Sequence, residues 1–173
     1  FTPYICREAD QIRDGFQSQC GYWTPFSALP VVLIYNTKLV RAESVTSWGD
    51  LENPAFRGNI AFADPQISGS SYTALVTRIL AGGGEDCLAG FRSALEGRQS
   101  GSSGAVLSDV ARGSALVGIT LEETALQHIS AGEDIALVYP ADGTACVPDG
   151  SALVKGAPHE ENARRFLDFT VSR

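Results

Sequence analysis

The segment 60–73, IAFADPQISGSSYT, indicates how the middle of this chain folds. It starts with four apolar residues and continues with a Pro/Gly/Ser-rich loop. From Tyr72 onward, past the end of the segment, apolar residues recur at i, i+3, i+4, i+7 and i+8. This pattern predicts a strand, a loop and an amphipathic helix, which Ser70 or Ser71 is expected to cap. The predicted inward face of the helix carries Tyr72, Leu75, Val76, Ile79 and Leu80.

The start of this helix is a candidate anion site. A helix that begins just beyond a strand presents unpaired N–H groups and the positive end of its dipole. Here the hydroxyl and backbone groups of Ser68, Gly69, Ser70 and Ser71 surround that end, an arrangement typical of small-anion sites. The alternative is that the serines only cap the helix. Gly-x-Gly-x-x-Gly and Walker patterns are absent from the sequence, so nucleotide binding is not supported.

Composition limits the class of protein. The 173 residues, 44% hydrophobic and 19% charged, are typical of one globular domain. The longest apolar run, 29–35, is strand-sized and well short of the ~20 residues that span a bilayer. The net charge is −7, and the 13 Lys and Arg residues are scattered, so no nucleic-acid partner is expected.

The chain has no Met and four Cys residues. We expect a processed protein or a fragment, because no initiator Met is present. The Cys spacing fits no metal site, and neither a metal nor a cofactor is predicted. Cys6 and Cys20 flank a short helix-like stretch, and a bond between them would contribute about 3 kcal/mol in the chain-entropy model. Cys87 fits a small buried hydrophobe, Cys146 lies in a loop, and the pairing stays open; the even count favours an oxidising compartment.

Apolar strands and amphipathic helices alternate along the chain, which predicts an α/β fold with a mainly parallel sheet. The predicted strands are 31–35, 60–63, 116–119, 135–139 and 152–154. The predicted helices are 48–56, 71–81, 85–95, one after 104 with Val106, Leu107 and Val110 inward, 120–131, and a last one with Ala163, Phe166, Leu167 and Thr170 inward. The loops 68–71, 100–104 and 120–123 are rich in hydroxyls or glycine. They are expected to converge beyond the carboxyl ends of the strands.

Several blocks resemble extracellular solute-binding proteins of ABC importers, in the type II group of ferric-ion, hexose-phosphate and phosphonate receptors. They are VLIYNTKLV (32–40), TSWGDL (46–51), NPAFRGNI (53–60), DP (64–65), SGSSY (68–72), VGITLE (117–122), VYPADGT (138–144), ALVKGAP (152–158), NA (162–163) and FLDF (166–169). Together they cover nearly the whole chain in family order.

The resemblance implies a three-layer sandwich lobe of a type II periplasmic-binding-protein fold, with helices on both faces of the sheet, in a receptor that closes by hinge motion. Residues 1–22 would be the tail of an absent first lobe, 23–136 the second, ligand-binding lobe, and 137–173 a hinge strand and return segment that packs on the first lobe. The implied partners are a small anionic solute, a membrane permease and the first lobe. The implied location is periplasmic or extracellular, with a lipid anchor through a removed N-terminus as an alternative.

The resemblance also implies binding roles. Ser70, Ser71 and Tyr72 would hold a phosphate, and Ser102 and Ser103 either add to this site or form a flexible linker. Further candidates are Trp23, which either stacks on the ligand or packs near the hinge, and Thr120, Glu122 and Thr144, which belong to blocks closest to the hexose-phosphate and phosphonate branch.

Other functions stay open. Ferric-ion receptors of this group use adjacent tyrosines where this chain has Thr120-Leu-Glu-Glu123. Glu122 either faces the cleft and accepts hydrogen bonds from ligand hydroxyls or an amine, or is a solvated helix residue, whereas Glu123 fits a capping box with Thr120. A ligand-sensing module of a signalling protein is a third hypothesis. An enzyme is least supported, since the loop at 69–73 lacks Gly-x-Ser-x-Gly and no His is placed as a base.

Overall fold

The computed structural model describes residues 1–82 and 84–172, which divide into two compact units. The second unit is Pro30–Ala145, and the first unit combines residues 1–29 with the chain from Cys146 onward. The second unit starts a few residues after the start of the predicted second lobe (23–136) and extends past the end of that lobe. The assignment of lobes to these units stays a prediction.

The described residues contain five strands and five α-helices. The strands are β1 (Thr24–Asn36), β2 (Ile60–Ala61), β3 (Val117–Leu121), β4 (Ile135–Val138) and β5 (Cys146–Ser151). The helices are α1 (Gly69–Ala81), α2 (Cys87–Leu95), α3 (Ser103–Ala111), α4 (Glu122–Ser130) and α5 (Glu160–Thr170), with 3₁₀ turns at Ala9–Gln11, Ala42–Ser44, Gly49–Glu52 and Pro54–Phe56. The strand predicted at 152–154 is reduced to a single bridge between Leu153 and Thr2.

The sheet is mixed, which corrects the expectation of a mainly parallel sheet. The strand order is β2-β3-β1-β4, and β5 also pairs with β1. β2 and β3 are parallel, whereas β1 is antiparallel to both β3 and β4. The alternation of strands and helices predicts the common direction of β2, β3 and β4. β1 has the opposite direction because irregular chain and 3₁₀ turns follow it instead of a crossover helix, and it lies between strands that come much later in the sequence.

Helices cover both faces of the sheet in the second unit, as predicted. Along β1, Val31, Leu33 and Tyr35 face one hydrophobic cluster, which includes residues of α1 and α2. Val32 and Ile34 face a second cluster, which includes Val106, Leu107 and Val110 of α3 and Ala125 of α4. Successive side chains of a strand point to opposite faces. A continuous apolar run is therefore what a strand buried on both sides requires.

The segment around Trp48 is tied to the loop after β4. Asp50 Oδ2 accepts hydrogen bonds from the N–H and hydroxyl groups of Thr46 and Ser47, at 2.8–3.0 Å. Burial by itself would raise the pKa of the Asp50 carboxyl. The hydrogen bonds together lower it by more than burial raises it, so the net result is a lowered pKa. The Trp48 indole N–H donates to Gly143 O at 2.9 Å, so the buried ring has a polar partner.

The first unit has its own small core of Cys6, Leu153 and Leu167. Cys6 Sγ lies 3.3 Å from Thr24 Oγ1, and burial raises the pKa of the Cys6 thiol. Cys6 and Cys20 are both free thiols, so the loop that a bond between them would close is open in this structure.

Helix α5 buries only part of the face predicted for it. Leu167 is 4% exposed, whereas Phe166 is 58% exposed and Phe169 is 71% exposed. Phe166 was expected inward and lies outward, because the small core of the first unit is filled by Leu167 with Cys6 and Leu153. Across residues 1–82 and 84–172, no helix combines the length and apolar character that crossing a membrane requires.

Candidate functional site

The loop between β2 and α1 is fixed by Asp64. Its Oδ1 accepts a hydrogen bond from the Gln66 N–H at 2.8 Å. Its main-chain oxygen accepts from the N–H groups of Ile67 and Ser68, at 3.1 and 2.9 Å. In such an Asx turn, the aspartate carboxylate takes the place of a backbone carbonyl as the hydrogen-bond acceptor. This turn places Ser68 directly before Gly69, the first residue of α1.

Ser68, and not the predicted Ser70 or Ser71, is the N-cap of α1. Its backbone is extended (φ −118°, ψ 111°), and its Oγ accepts from the Ser71 N–H at 3.3 Å. Ser70 and Ser71 are already helical, which excludes them from the cap geometry. Ser68 Oγ also lies 3.1 Å from Ser70 Oγ. In the described chain, the N–H groups of Gly69 and Ser70 have no protein acceptor, so they remain available to a ligand.

The buried face of α1 differs from the predicted one. Ser71, Ala74, Thr77 and Arg78 are buried. Tyr72 is 59% exposed and Leu80 is 74% exposed, although both were expected inward. The physical reason is a polar anchor at Arg78, described next, which sets the rotation of the helix about its axis.

The Arg78 guanidinium is only 3% exposed and is held on several sides. It forms an ion pair with Glu52, donates to Trp48 O at 2.7 Å, and lies 4.8 Å from the centre of the Phe91 ring. A buried charge requires such partners, because desolvation without compensation is costly. Orienting α1 to bury Arg78 therefore leaves Tyr72 and Leu80 exposed, whereas Leu75 still packs against the core.

Three helix N-termini lie at the same edge of the sheet. β2 and β3 are parallel, with Ala61 opposite Gly118, and Ala63 forms a parallel bridge with Ser100. The chain therefore leaves this edge towards α1 after Ala63, towards α3 after Ser100, and towards α4 after Leu121. The three loops expected to converge therefore lie at one edge of the sheet. Such an edge is where open α/β sheets bind ligands.

The start of α3 is ordered by a serine cap. Ser102 is the N-cap, and its Oγ accepts from the Ala105 N–H at 3.1 Å. Ser103 is the first helical residue, and both side chains are exposed. The structure thus makes Ser102 a cap instead of part of a flexible linker, and it leaves the Ser103 side chain facing solvent at the sheet edge.

At the start of α4, the structure separates the roles of Thr120, Glu122 and Glu123. Thr120 is buried at the end of β3 and does not cap the helix. The predicted capping box is not formed, because α4 starts after Leu121 without a side-chain cap, and Glu123 Oε1 accepts instead from Gln127 Nε2 at 3.2 Å. Glu122, the first helical residue, accepts a hydrogen bond from the Tyr139 hydroxyl.

Tyr139 is a candidate site residue that the sequence reasoning missed. It directly follows β4, whose carboxyl end lies at the same edge as that of β3. It is half exposed, and its hydrogen bond to the Glu122 carboxylate, with a smaller effect of burial, raises the pKa of Tyr139. The rule that ligand groups follow strand ends is the signal that could have identified this position.

The two remaining candidates lie elsewhere. The Thr144 hydroxyl donates to Val31 O at 2.6 Å, so it ties the chain after β4 to the start of the buried part of β1. Trp23 belongs to the first unit. A Cβ at Gly150 would lie 2.6 Å from Trp23 Cε3, so the indole ring packs directly on the Gly150 backbone. This contact agrees with a packing role for Trp23, which was the alternative to stacking on a ligand.

A groove of about 920 Å³ runs beside α1. Its apolar lining includes Tyr72, Leu75, Leu88 and Phe91, and its charged lining residues are Asp64 and Arg92. Within the described ranges, no group of three or more His, Cys, Asp or Glu side chains is arranged to hold a metal ion.

The sequence comparison defines the class. Residues 1–173 match the family of bacterial extracellular solute-binding proteins, and the chain belongs to this family. It is a family of binding proteins and not of enzymes, as the resemblance implied. An uncharacterised protein of Haemophilus influenzae is 34% identical over 99% of this chain and 52% of its own length. Iron uptake protein A1 of Synechocystis is 26% identical over 93% of this chain and 48% of its own length. The chain thus spans about half the length of these relatives.

Solved structures agree with the fold. A two-component system protein that mediates signal transduction superposes with a TM-score of 0.89 at 26% identity, covering 100% of this chain and 58% of the other. The periplasmic binding protein AfuA of Actinobacillus pleuropneumoniae, with fructose-6-phosphate bound, gives a TM-score of 0.84 at 27% identity over 99% of this chain and 57% of its own. The described residues therefore form part of a periplasmic-binding-protein fold.

Proposed function

We propose that this chain is the ligand-binding part of the substrate-binding component of an ABC importer, and that it captures a small anionic solute at the start of α1. The observation that carries the proposal is the pair of unused N–H groups at Gly69 and Ser70, located at the carboxyl edge of the sheet. The solute would be a phosphorylated sugar or a phosphonate. The likeness to AfuA, solved with fructose-6-phosphate, supports this class.

In this proposal each group has a distinct role. The N–H groups of Gly69 and Ser70 donate to the anion, and the Ser70 hydroxyl, held against Ser68 Oγ, adds a third donor. Apart from the adjoining residues and backbone of α1 itself, no atom of the described chain lies within 4 Å of where a Gly69 Cβ would stand, so an anion has space to approach the backbone. Glu122, at the neighbouring helix start, accepts hydrogen bonds from hydroxyl or ammonium groups of the same solute.

The test is calorimetry on the full-length protein with glucose 6-phosphate, 2-aminoethylphosphonate and inorganic phosphate. Ser70→Asp places a carboxylate where the anion binds, and it should abolish binding by charge repulsion. Ser70 is a better position than Ser71, which is 4% exposed and would force a charge into the core. Gln127→Glu adds the same charge on the exposed surface of α4, and it should leave affinity unchanged. Equal affinity of the Ser70→Asp variant and the parent would refute the site.

A second candidate is a ferric-ion receptor of the same fold. The Glu122 carboxylate and the Tyr139 hydroxyl are hard oxygen donors in contact at the sheet edge, which suits a hard cation. A relative named iron uptake protein A1 supports this possibility. Titration with ferric citrate distinguishes the two candidates, since Glu122→Gln and Tyr139→Phe should abolish iron binding while Ser70→Asp leaves it intact.

The partners and location follow from the proposed function. We expect a membrane permease, a first lobe of the same protein and a periplasmic or extracellular position. A sensing module is a third candidate, supported by the likeness to a two-component system protein. Transport of the solute in cells, and its loss on deletion of the gene, would separate a receptor for import from a sensor.

A further inference from the structure

The segments at the sheet edge where α1, α3 and α4 begin contain no basic residue. The chain next to this edge, 62–68, 99–102 and 139–141, has neither Lys nor Arg, and the same holds for the first four residues of the three helices. The donors that these segments offer to an anion at the start of α1 are therefore neutral N–H and hydroxyl groups. A bound anion gains no opposite charge from them.

Glu122 brings a negative charge without a counter-charge to the same edge. It is the first residue of α4, where the positive end of the helix dipole favours a carboxylate. Its Oε1 accepts from the Tyr139 hydroxyl, and its second carboxylate oxygen has no hydrogen-bond partner in the described chain. Among residues 1–82 and 84–172, Glu122 takes part in no ion pair. One carboxylate oxygen and the full charge therefore remain available to a ligand.

Tyr139 is placed to hold this carboxylate in position. It directly follows β4, and the buried Pro140 after it restricts its backbone to extended conformations. The next N–H group, of Ala141, donates to Thr46 O at 2.9 Å. The chain is therefore tied down on both sides of Tyr139. The raised pKa of Tyr139, caused first by its hydrogen bond to Glu122, keeps the hydroxyl protonated at neutral pH, so it stays a donor.

We infer that Glu122 binds an ammonium group of the solute and that Tyr139 is its positioning residue, so that the site selects a zwitterion, a small phosphonate or phosphate that also carries an amine. This inference rests on the proposed capture of an anion at the start of α1 and narrows its ligand class. A sugar phosphate brings only hydroxyl groups to Glu122. Its charge would then stay unpaired as the solute displaces water, which is costly. An ammonium group supplies both the opposite charge and a charge-assisted hydrogen bond.

Calorimetry on the full-length protein with two matched ligands tests this inference. 2-Aminoethylphosphonate and 2-hydroxyethylphosphonate differ only in carrying an ammonium or a hydroxyl group at one end. Wild type should bind the amino compound at least about 10-fold more tightly, as a hydrogen bond to a charged group predicts. Glu122→Gln should remove this preference, and Tyr139→Phe should reduce it by about 3-fold or more. Both variants should still bind the hydroxy compound, which shows that they are folded.

Glu123→Gln is the matched control. It removes one negative charge at the next position of α4, and Glu123 accepts its hydrogen bond from Gln127 of the same helix, so the wild-type preference should persist. Equal binding of both phosphonates by wild type, or a preference that survives Glu122→Gln, would overturn the inference while the proposed function stands. An unchanged preference in Tyr139→Phe would overturn the positioning role. If wild type binds neither phosphonate nor glucose 6-phosphate, the proposed function fails and the inference with it.

Discussion

The ion pair of Arg78 and Glu52 allows a quantitative test of what sets the orientation of α1. The Arg78 side chain is 3% exposed and that of Glu52 is 39% exposed. Glu52 therefore supplies the charge that compensates a buried guanidinium while itself remaining partly hydrated. Its neutralisation, as Glu52→Gln, leaves the guanidinium buried without a full counter-charge. Breaking a buried pair in this way costs about 3–5 kcal/mol, and the partial exposure of Glu52 puts the expected loss near ~3 kcal/mol.

Replacing the other partner costs a similar amount for a different reason. Arg78→Met leaves the Trp48 carbonyl without its donor, which costs about 1–3 kcal/mol, and removes the contact with the Phe91 ring, worth about 1 kcal/mol. Once Arg78 is absent, the charge of Glu52 has no buried partner to compensate. The double variant is therefore expected to lose about 3 kcal/mol, and not the sum of about 6 kcal/mol.

Urea denaturation followed by tryptophan emission measures these free energies of unfolding. Trp48 is 2% exposed in the second unit, and a Trp23→Phe background makes it the single reporter. Coupling of at least about 2 kcal/mol is expected between Arg78 and Glu52. Losses that add to within ~0.5 kcal/mol would refute the view that this pair acts as one unit.

Three further predictions concern local features. A Cβ built at Gly90 would overlap the Glu52 carboxylate, so Gly90→Ala should destabilise the fold in urea denaturation. Gly104→Ala, where the nearest atom is 3.9 Å away, should be neutral or gain about 0.5–1 kcal/mol; the opposite order would contradict the structure. Ser68→Ala should cost about 1 kcal/mol through loss of the α1 cap, and a loss below ~0.3 kcal/mol would argue against that cap. Asp50 has a lowered pKa in the folded state, so its stabilisation is complete above its ordinary pKa of 3.8 and is lost as pH falls through the lower folded value. Asp50→Asn should thus flatten the acid side of the stability profile, and an unchanged slope below pH 3.8 would exclude this contribution.

Local patterns predicted the parts of the fold that depend on neighbouring residues. The unbroken apolar run of β1 predicted a strand buried on both faces, and Val106, Leu107 and Val110 are buried as the helical period indicated. The three loops predicted to converge lie at one sheet edge, because that edge follows from strand direction alone.

Other features depend on partners distant in sequence. Glu52 is 26 positions before Arg78, and a hydrophobic period cannot show that this pair leaves Tyr72 and Leu80 of α1 facing outward. The direction of β1 relative to β3 and β4 is likewise a long-range property. Within the serine run, Ser68, Ser70 and Ser71 are chemically equivalent caps, and only the turn at Asp64 selects the first of them.

The central position of β1 has a consequence for the order of folding. β1 is made early in the chain, but the strands that flank it are β3 and β4, and Leu33 pairs with both Ile119 and Val138. Until Val138 has been synthesised, the most apolar strand of the second unit has at least one unpaired edge. Such non-local pairing slows folding and leaves a strand edge open to aggregation. During synthesis we therefore expect this unit to close late, and a truncation before β4 should require a chaperone to stay soluble.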